Sequence, residues 1–120
     1  MAKILIVDDS AMSRRILRGM LEGGGHQVTE AEDGMVALEK YFLEKPDVVL
    51  LDLIMRGMFG IEVLKKLKEM DRDVRVIIGS ADIQNSTVAI TRAEGAVGFV
   101  TKPFDAQQLL AAVASALKES

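Results

Sequence analysis

The 120-residue sequence predicts an α/β fold of the doubly wound (βα)5 kind: a five-stranded parallel sheet with helices on both faces. Three observations carry that prediction. Five short runs rich in Val, Ile and Leu alternate with five longer segments of helical periodicity. Three of the runs, Ile4-Leu5-Ile6-Val7, Val48-Val49-Leu50-Leu51 and Val76-Ile77-Ile78, are continuously apolar, as strands covered on both faces are. The connections are short enough that right-handed crossovers between parallel neighbours are the topology left. The pattern does not fix strand order; 2-1-3-4-5, with its switch point between strands 1 and 3, is the common order for doubly wound sheets of this size.

The strands are expected at Lys3 to Asp8, Gln27 to Ala31, Asp47 to Asp52, Val74 to Gly79 and Val97 to Thr101. Ser10 can cap a first helix with apolar positions Met12, Ile16, Leu17, Met20 and Leu21, and Gly23-Gly24-Gly25 stops it. Asp33 can cap a second, which turns Val36, Ala37, Phe42 and Leu43 toward the core and has Pro46 just past its end. Ile61, Val63, Leu64, Leu67 and Met70 mark a third. Asp105 can cap the last, with Leu109, Leu110, Val113, Ala114 and Leu117 as its stripe. The fourth helix, over Ile83 to Thr91 and ended by Gly95, is the weakest, because β-branched and short polar residues have poor helix propensity.

The length fits one domain over residues 1–120, and no linker or repeat interrupts it. A 49% hydrophobic and 28% charged composition supports a packed core with a solvated surface. No stretch approaches the roughly 20 apolar residues needed to cross a bilayer, and the amino end reads as a strand, not a secretory signal. Without cysteine, disulfides and thiolate metal sites are excluded. A cytoplasmic location without membrane insertion is the expectation. A net charge of −3 gives no reason to expect nucleic-acid binding. Arg14, Arg15 and Arg18, like Lys65, Lys66 and Lys68, read as solvated helix faces. His26 lies at the amino end of the second strand, away from the crevice described next.

In such sheets ligands collect outside the carboxyl ends of the strands, near the switch point. There stand Asp8-Asp9 after strand 1, Asp52 after strand 3, Ser80 after strand 4 and Lys102-Pro103 after strand 5. Taken singly, Asp9 reads as a helix cap, Ser80 as a turn hydroxyl and Lys102 as a surface lysine; their joint placement carries the inference. Three carboxylates in one crevice repel one another unless a cation sits among them. An all-oxygen site without His or Cys suits a hard dication. Mg2+ is favoured, since it is held by one or two carboxylates while keeping waters and a phosphate oxygen. Lys102 adds a compact positive charge suited to phosphate. A carboxylate beside a dication and a lysine is well placed to attack a phosphoryl donor and become an aspartyl phosphate.

Ile4-Leu5-Ile6-Val7-Asp8-Asp9, Asp33-Gly34, Pro46-Asp47-Val48-Val49-Leu50-Leu51-Asp52, Gly60, Ser80-Ala81, Gly95-Ala96 and Lys102-Pro103-Phe104 together resemble, in order and spacing, the response-regulator receiver family, whose fold is flavodoxin-like. The resemblance covers essentially the whole chain. It implies that Asp52 is the phosphoacceptor, that Asp8 and Asp9 bind the metal with Asp52 and the backbone carbonyl of Ile54, that Ser80 and Phe99 are the switch hydroxyl and aromatic, and that Lys102 contacts phosphate. It also implies a histidine kinase or phosphotransfer protein as donor, with a downstream protein target at the face of helix 4, strand 5 and helix 5. In that scheme phosphate draws Ser80 inward, opens space for Phe99 and repacks the fourth helix. Met55-Arg56-Gly57 departs from the family's usual Met-Pro. Losing proline frees the backbone and adds a charge near the site, so a more mobile loop is expected there.

The chain ends at Ser120 after the fifth helix, which points to a diffusible regulator or phosphorelay intermediary and not a transcription factor. The expectation is a signalling protein whose catalysis is confined to its own phosphorylation and dephosphorylation. The competing readings are a phosphatase with an aspartyl-phosphate intermediate, a flavodoxin-like cofactor carrier and a receiver-shaped module that is never phosphorylated. The phosphatase usually has an acid two residues past the nucleophile, where this chain has Ile54. An acidic crevice disfavours a flavin phosphate, and the full set of site residues argues against the third.

Overall fold

Successive side chains of a strand point to opposite faces, so an unbroken apolar run must be covered twice. A computed structural model describes residues 1–53, 55, 59–81 and 85–118, with only the backbone described at 85 and 86. Strands β1 (Lys3–Val7), β2 (Gln27–Ala31), β3 (Val48–Asp52), β4 (Val76–Ser80) and β5 (Gly98–Thr101) alternate with helices α1 (Ala11–Gly23), α2 (Gly34–Glu44), α3 (Gly60–Met70), α4 (Asn85–Ala93) and α5 (Ala106–Lys118). The sheet is parallel throughout, in the expected order β2-β1-β3-β4-β5. Leu5, Val7, Val49, Leu51 and Ile78 pack on one face with Ala37 and Tyr41 of α2 and Val63, Leu64 and Leu67 of α3. Ile4, Ile6, Val48, Leu50 and Ile77 pack on the other with Leu17 and Leu21 of α1 and Leu109, Val113 and Ala116 of α5.

The expected caps form. Ser10, Asp33 and Asp105 side chains accept from the N–H groups of Ser13, Val36 and Gln108 at 3.2, 2.9 and 3.1 Å; each such cap contributes about 1 kcal/mol. α1 and α4 end on Gly25 and Gly95, at φ 88° and 103°, a left-handed turn that side chains disfavour. α3 has no side-chain cap; instead the N–H of Gly60 donates to the Leu53 carbonyl at 2.8 Å and ties the helix to the end of β3.

Several expectations shift. Phe42 and Leu43 are 66% and 68% exposed. The core side of α2 is set by Ala37 and, one turn on, Tyr41, which rotates the next two residues outward. The phenol of Tyr41 donates to Asp71 at 2.8 Å, so a polar end made an inward position less visible than Phe42. On α1, Met12 is 73% exposed and Ile16 49%, while Leu17 and Leu21 face inward. Met70 and Ala114 also face solvent. The strands are trimmed at their ends: Asp47 leaves the ladder and its carboxylate takes the Lys3 N–H at 2.8 Å. Asp8 falls just past β1, and β4 runs on to include Ser80. α4 begins at Asn85, and Ile83 and Gln84 lie outside the described residues.

Two measurements test these contacts. A Cβ on Gly60 would run into the carbonyl oxygen of Asp52 and the backbone of Leu53. Gly60→Ala should therefore lower urea-unfolding stability by about 1–3 kcal/mol, as overpacking does. Gly19→Ala, on α1 with nothing within 4 Å, should be neutral or stabilising.

His26 accepts the Ala2 N–H on its Nδ1 at 3.1 Å, which requires an unprotonated nitrogen. Burial, aided by the N-terminal ammonium, pushes its pKa down. Its contribution is thus complete above the unfolded value of about 6.5 and is lost as pH falls through the folded one. Thermal melts should show Tm falling from about pH 6.5 downward, in a window above that of the carboxylates. His26→Gln should remove that first decline; an unchanged slope would reject the assignment.

Candidate functional site

Parallel pairing brings the acids together. Val7 is the register partner of Leu51, so Asp8 and Asp52, each the next residue, emerge side by side at the carboxyl edge. Asp8 is 2% exposed and Asp52 8%, whereas Asp9, one residue into the loop toward α1, is exposed. One carboxylate oxygen from each of the three lies within 4.8 Å of the others. Lys102, following β5, sets its Nζ 3.4 Å from Oδ2 of both Asp8 and Asp52. That is an ion-pair distance, longer than a charge-assisted hydrogen bond. Oδ1 of Asp8 accepts the Ser10 N–H at 2.9 Å.

Buried like charges a few ångströms apart repel by on the order of 4 kcal/mol per pair at an effective dielectric of about 20. One ammonium among three carboxylates leaves a deficit of two positive charges, which matches a divalent cation. The donors are all hard oxygens, so the residues present fit Mg2+ or a similar ion. The cluster is thus one that could bind a metal.

The other expected site residues fall nearby. Ser80 ends β4, 1% exposed, and its carbonyl accepts the Lys102 N–H at 3.0 Å. Thr101 is its register partner, and Phe99 stands two residues before Thr101 on β5, half-buried against the core shared with α2 and α3. Asp8, Asp9, Asp52 and Lys102 are brought together, with Ser80 on the neighbouring strand end. Ile54, Arg56 and Gly57 lie outside the described residues; Met55 is buried.

The arginines of α1 correct the sequence reading. Arg14 is not part of a solvated face: its side chain is 15% exposed, its Nε pairs with Glu30 of β2 at 2.9 Å, and its Nη1 donates to the Asp8 carbonyl at 2.6 Å. Arg18 pairs with the other oxygen of Glu30 at 2.6 Å. A signal was present in the sequence, a lone acid in the second strand and two arginines four apart, but only the β1–α1–β2 packing joins them.

The family model for the response regulator receiver domain matches residues 4–114. The chain is 42% identical over 112 residues to the chemotaxis protein CheY of Bacillus subtilis, covering 92% of this chain and 93% of that one. It is 40% identical over 111 residues to the sporulation initiation phosphotransferase F of the same organism, covering 92% and 90%. Its fold superposes on Vibrio cholerae chemotaxis protein CheY4 with a TM-score of 0.93, at 30% identity over 98% of this chain and 99% of that one. Among the described residues no helix is long and apolar enough to cross a membrane. With the five-stranded order, the acid cluster and these likenesses in hand, the chain belongs to the response regulator receiver family, whose place is in two-component signalling.

Proposed function

We propose that Asp52 accepts a phosphoryl group in a Mg2+-dependent reaction and that residues 1–120 act as one receiver domain. The observation that carries this is the convergence of the Asp8, Asp9 and Asp52 carboxylates within 4.8 Å of one another, with the Lys102 ammonium 3.4 Å from Asp8 and Asp52. A carboxylate oxygen of Asp52 forms a bond to phosphorus as the donor's bond to phosphorus breaks; with a phosphohistidine donor, the imidazole leaves with the electron pair and takes a proton. When bound, Mg2+ supplies charge neutralisation at the transferred oxygens. Asp8, Asp9 and Asp52 would hold it, with the Ile54 carbonyl that the family resemblance implies, and Lys102 would balance charge on the same oxygens. The chain catalyses only its own phosphorylation and dephosphorylation.

The donor is a histidine kinase or phosphotransfer protein, in keeping with relatives named for chemotaxis and for a sporulation phosphotransferase. Ser80 hydrogen-bonds the new phosphoryl group, Phe99 moves inward, and α4 repacks, changing the α4–β5–α5 face that a downstream protein reads in the cytoplasm. A groove of about 250 Å3 between Leu53, Phe59 and Ile61 on one side and Thr87, Ile90 and Thr91 of α4 on the other gives that helix room to shift.

Intact-mass measurement after incubation with a small acyl phosphate and Mg2+ should show a phosphoryl-sized increase that is absent in Asp52→Asn. No increase with any divalent metal would reject the reading. Phosphorylation should also change amide exchange across α4 more than across α1 or α5; unchanged protection in α4 would sink the switch while leaving phosphorylation intact.

A further inference from the structure

Every polar group of Asp8 is held. Its N–H donates to the Ala31 carbonyl at 3.2 Å, its Oδ1 accepts from Ser10, and its Oδ2 faces Lys102. Its carbonyl oxygen accepts from Arg14 at 2.6 Å. That carbonyl belongs to the planar peptide joining Asp8 to Asp9, so fixing it fixes the direction in which the exposed Asp9 leaves the strand. Arg14 is fixed in turn by Glu30, whose second oxygen is taken by Arg18 and whose backbone carbonyl accepts from Lys40. Arg18 foremost, and Arg14 with it, hold the Glu30 carboxyl below its usual range against the opposing effect of burial, so the anchor stays ionised at neutral pH. A planar guanidinium can span a carboxylate and a carbonyl at once, whereas a lysine presents a single point.

We propose that Arg14, anchored by Glu30, is a positioning residue that orients the Asp8–Asp9 peptide and thereby sets the divalent-cation affinity of the acid cluster without touching the ion. The inference rests on the reading of that cluster as a Mg2+ site. Charge and positioning predict opposite signs. A cation beside a cation site weakens binding, so on charge alone Arg14→Gln should tighten Mg2+ and Arg14→Lys should leave it unchanged. Positioning predicts that both bind more weakly.

Calorimetric titration of Mg2+ into the unphosphorylated protein separates them. Arg14→Lys, Arg14→Gln and Glu30→Ala should each weaken Mg2+ roughly tenfold, the scale on which groups supporting a metal ligand act. The Arg14→Lys/Glu30→Ala double variant should be no weaker than Arg14→Lys alone, and the Asp9 amide resonance of the metal-free protein should move in every variant. Glu30→Gln keeps an acceptor for Arg14 while losing the charge, so it should stay near the parent. That comparison decides the matter even where an Arg14 variant fails to fold. Parent-like affinity in Arg14→Lys, tighter binding in Arg14→Gln, or equal losses in Glu30→Gln and Glu30→Ala would overturn the proposal. A parent that takes up no Mg2+ would overturn the metal-site reading along with it.

Discussion

Parallel register between β1 and β3 is the constraint on which the site depends. Because Val7 faces Leu51 across the ladder, the two acids that follow have no choice but to stand together at the sheet's edge. Their repulsion, on the order of 4 kcal/mol per pair, works against the fold that creates it. The sheet resists because Ile4, Leu5, Ile6, Val7, Val48, Val49, Leu50 and Leu51 are each at most 2% exposed. Burying such side chains is worth on the order of 2 kcal/mol apiece before chain entropy is charged against it. The apolar stem of each strand therefore outweighs the cost of its acidic tip, and Lys102 offsets part of what remains.

The same economy explains how the site is braced. Asp8 is buried, and a buried carboxylate left without partners would cost several kcal/mol. Ser10 and Lys102 supply those partners. Gly60 lets α3 begin directly against the Asp52 carbonyl, and Gly60 N–H binds Leu53 just beyond it. Arg14 reaches across from α1. α1, α3 and the segment after β5 thus converge on the ends of β1 and β3, through Ser10 and Arg14, Gly60, and Lys102.

Much of this was legible in the sequence, for reasons specific to particular residues. Unbroken apolar runs ending in acids located β1 and β3 and their chemistry together, and Ser10, Asp33 and Asp105 announced helix starts because their side chains have one obvious use. What failed to show was rotation and reach. The inward turn of α2 depends on Tyr41, whose hydroxyl needs Asp71, thirty positions away; composition favoured Phe42 instead. Arg14 looked like surface because its two acceptors, Glu30 of β2 and Asp8 just past β1, meet it only after folding. Long side chains that bridge elements carry no local periodicity, so they are what sequence patterns hide. Roles for Ile54 and Arg56 fall outside the described residues and stay with the family resemblance that suggested Ile54 and the departure from it that drew attention to Arg56.

The helices are held unequally. α3 buries Val63, Leu64 and Leu67 and is tied to β3 at its first residue. α2 is pinned to the end of α3 by the 2.8 Å Tyr41–Asp71 hydrogen bond, and burial, with that carboxylate beside it, pushes the phenol's pKa well up. In α4, among the described side chains, only Thr91 is buried, and its hydroxyl turns back to the Thr87 and Val88 carbonyls of its own helix at 3.1 and 3.0 Å. That bond satisfies the hydroxyl without attaching α4 to anything else. Ile90 stays exposed beside an apolar groove. Burial sets how much energy must be given up to move an element, so on its described side chains α4 is held less firmly than α2 or α3. The poor helix propensity of the α4 sequence accords with the place we propose for it: the acid site is braced at the carboxyl ends of β1 and β3, while α4 buries only Thr91 among its described side chains.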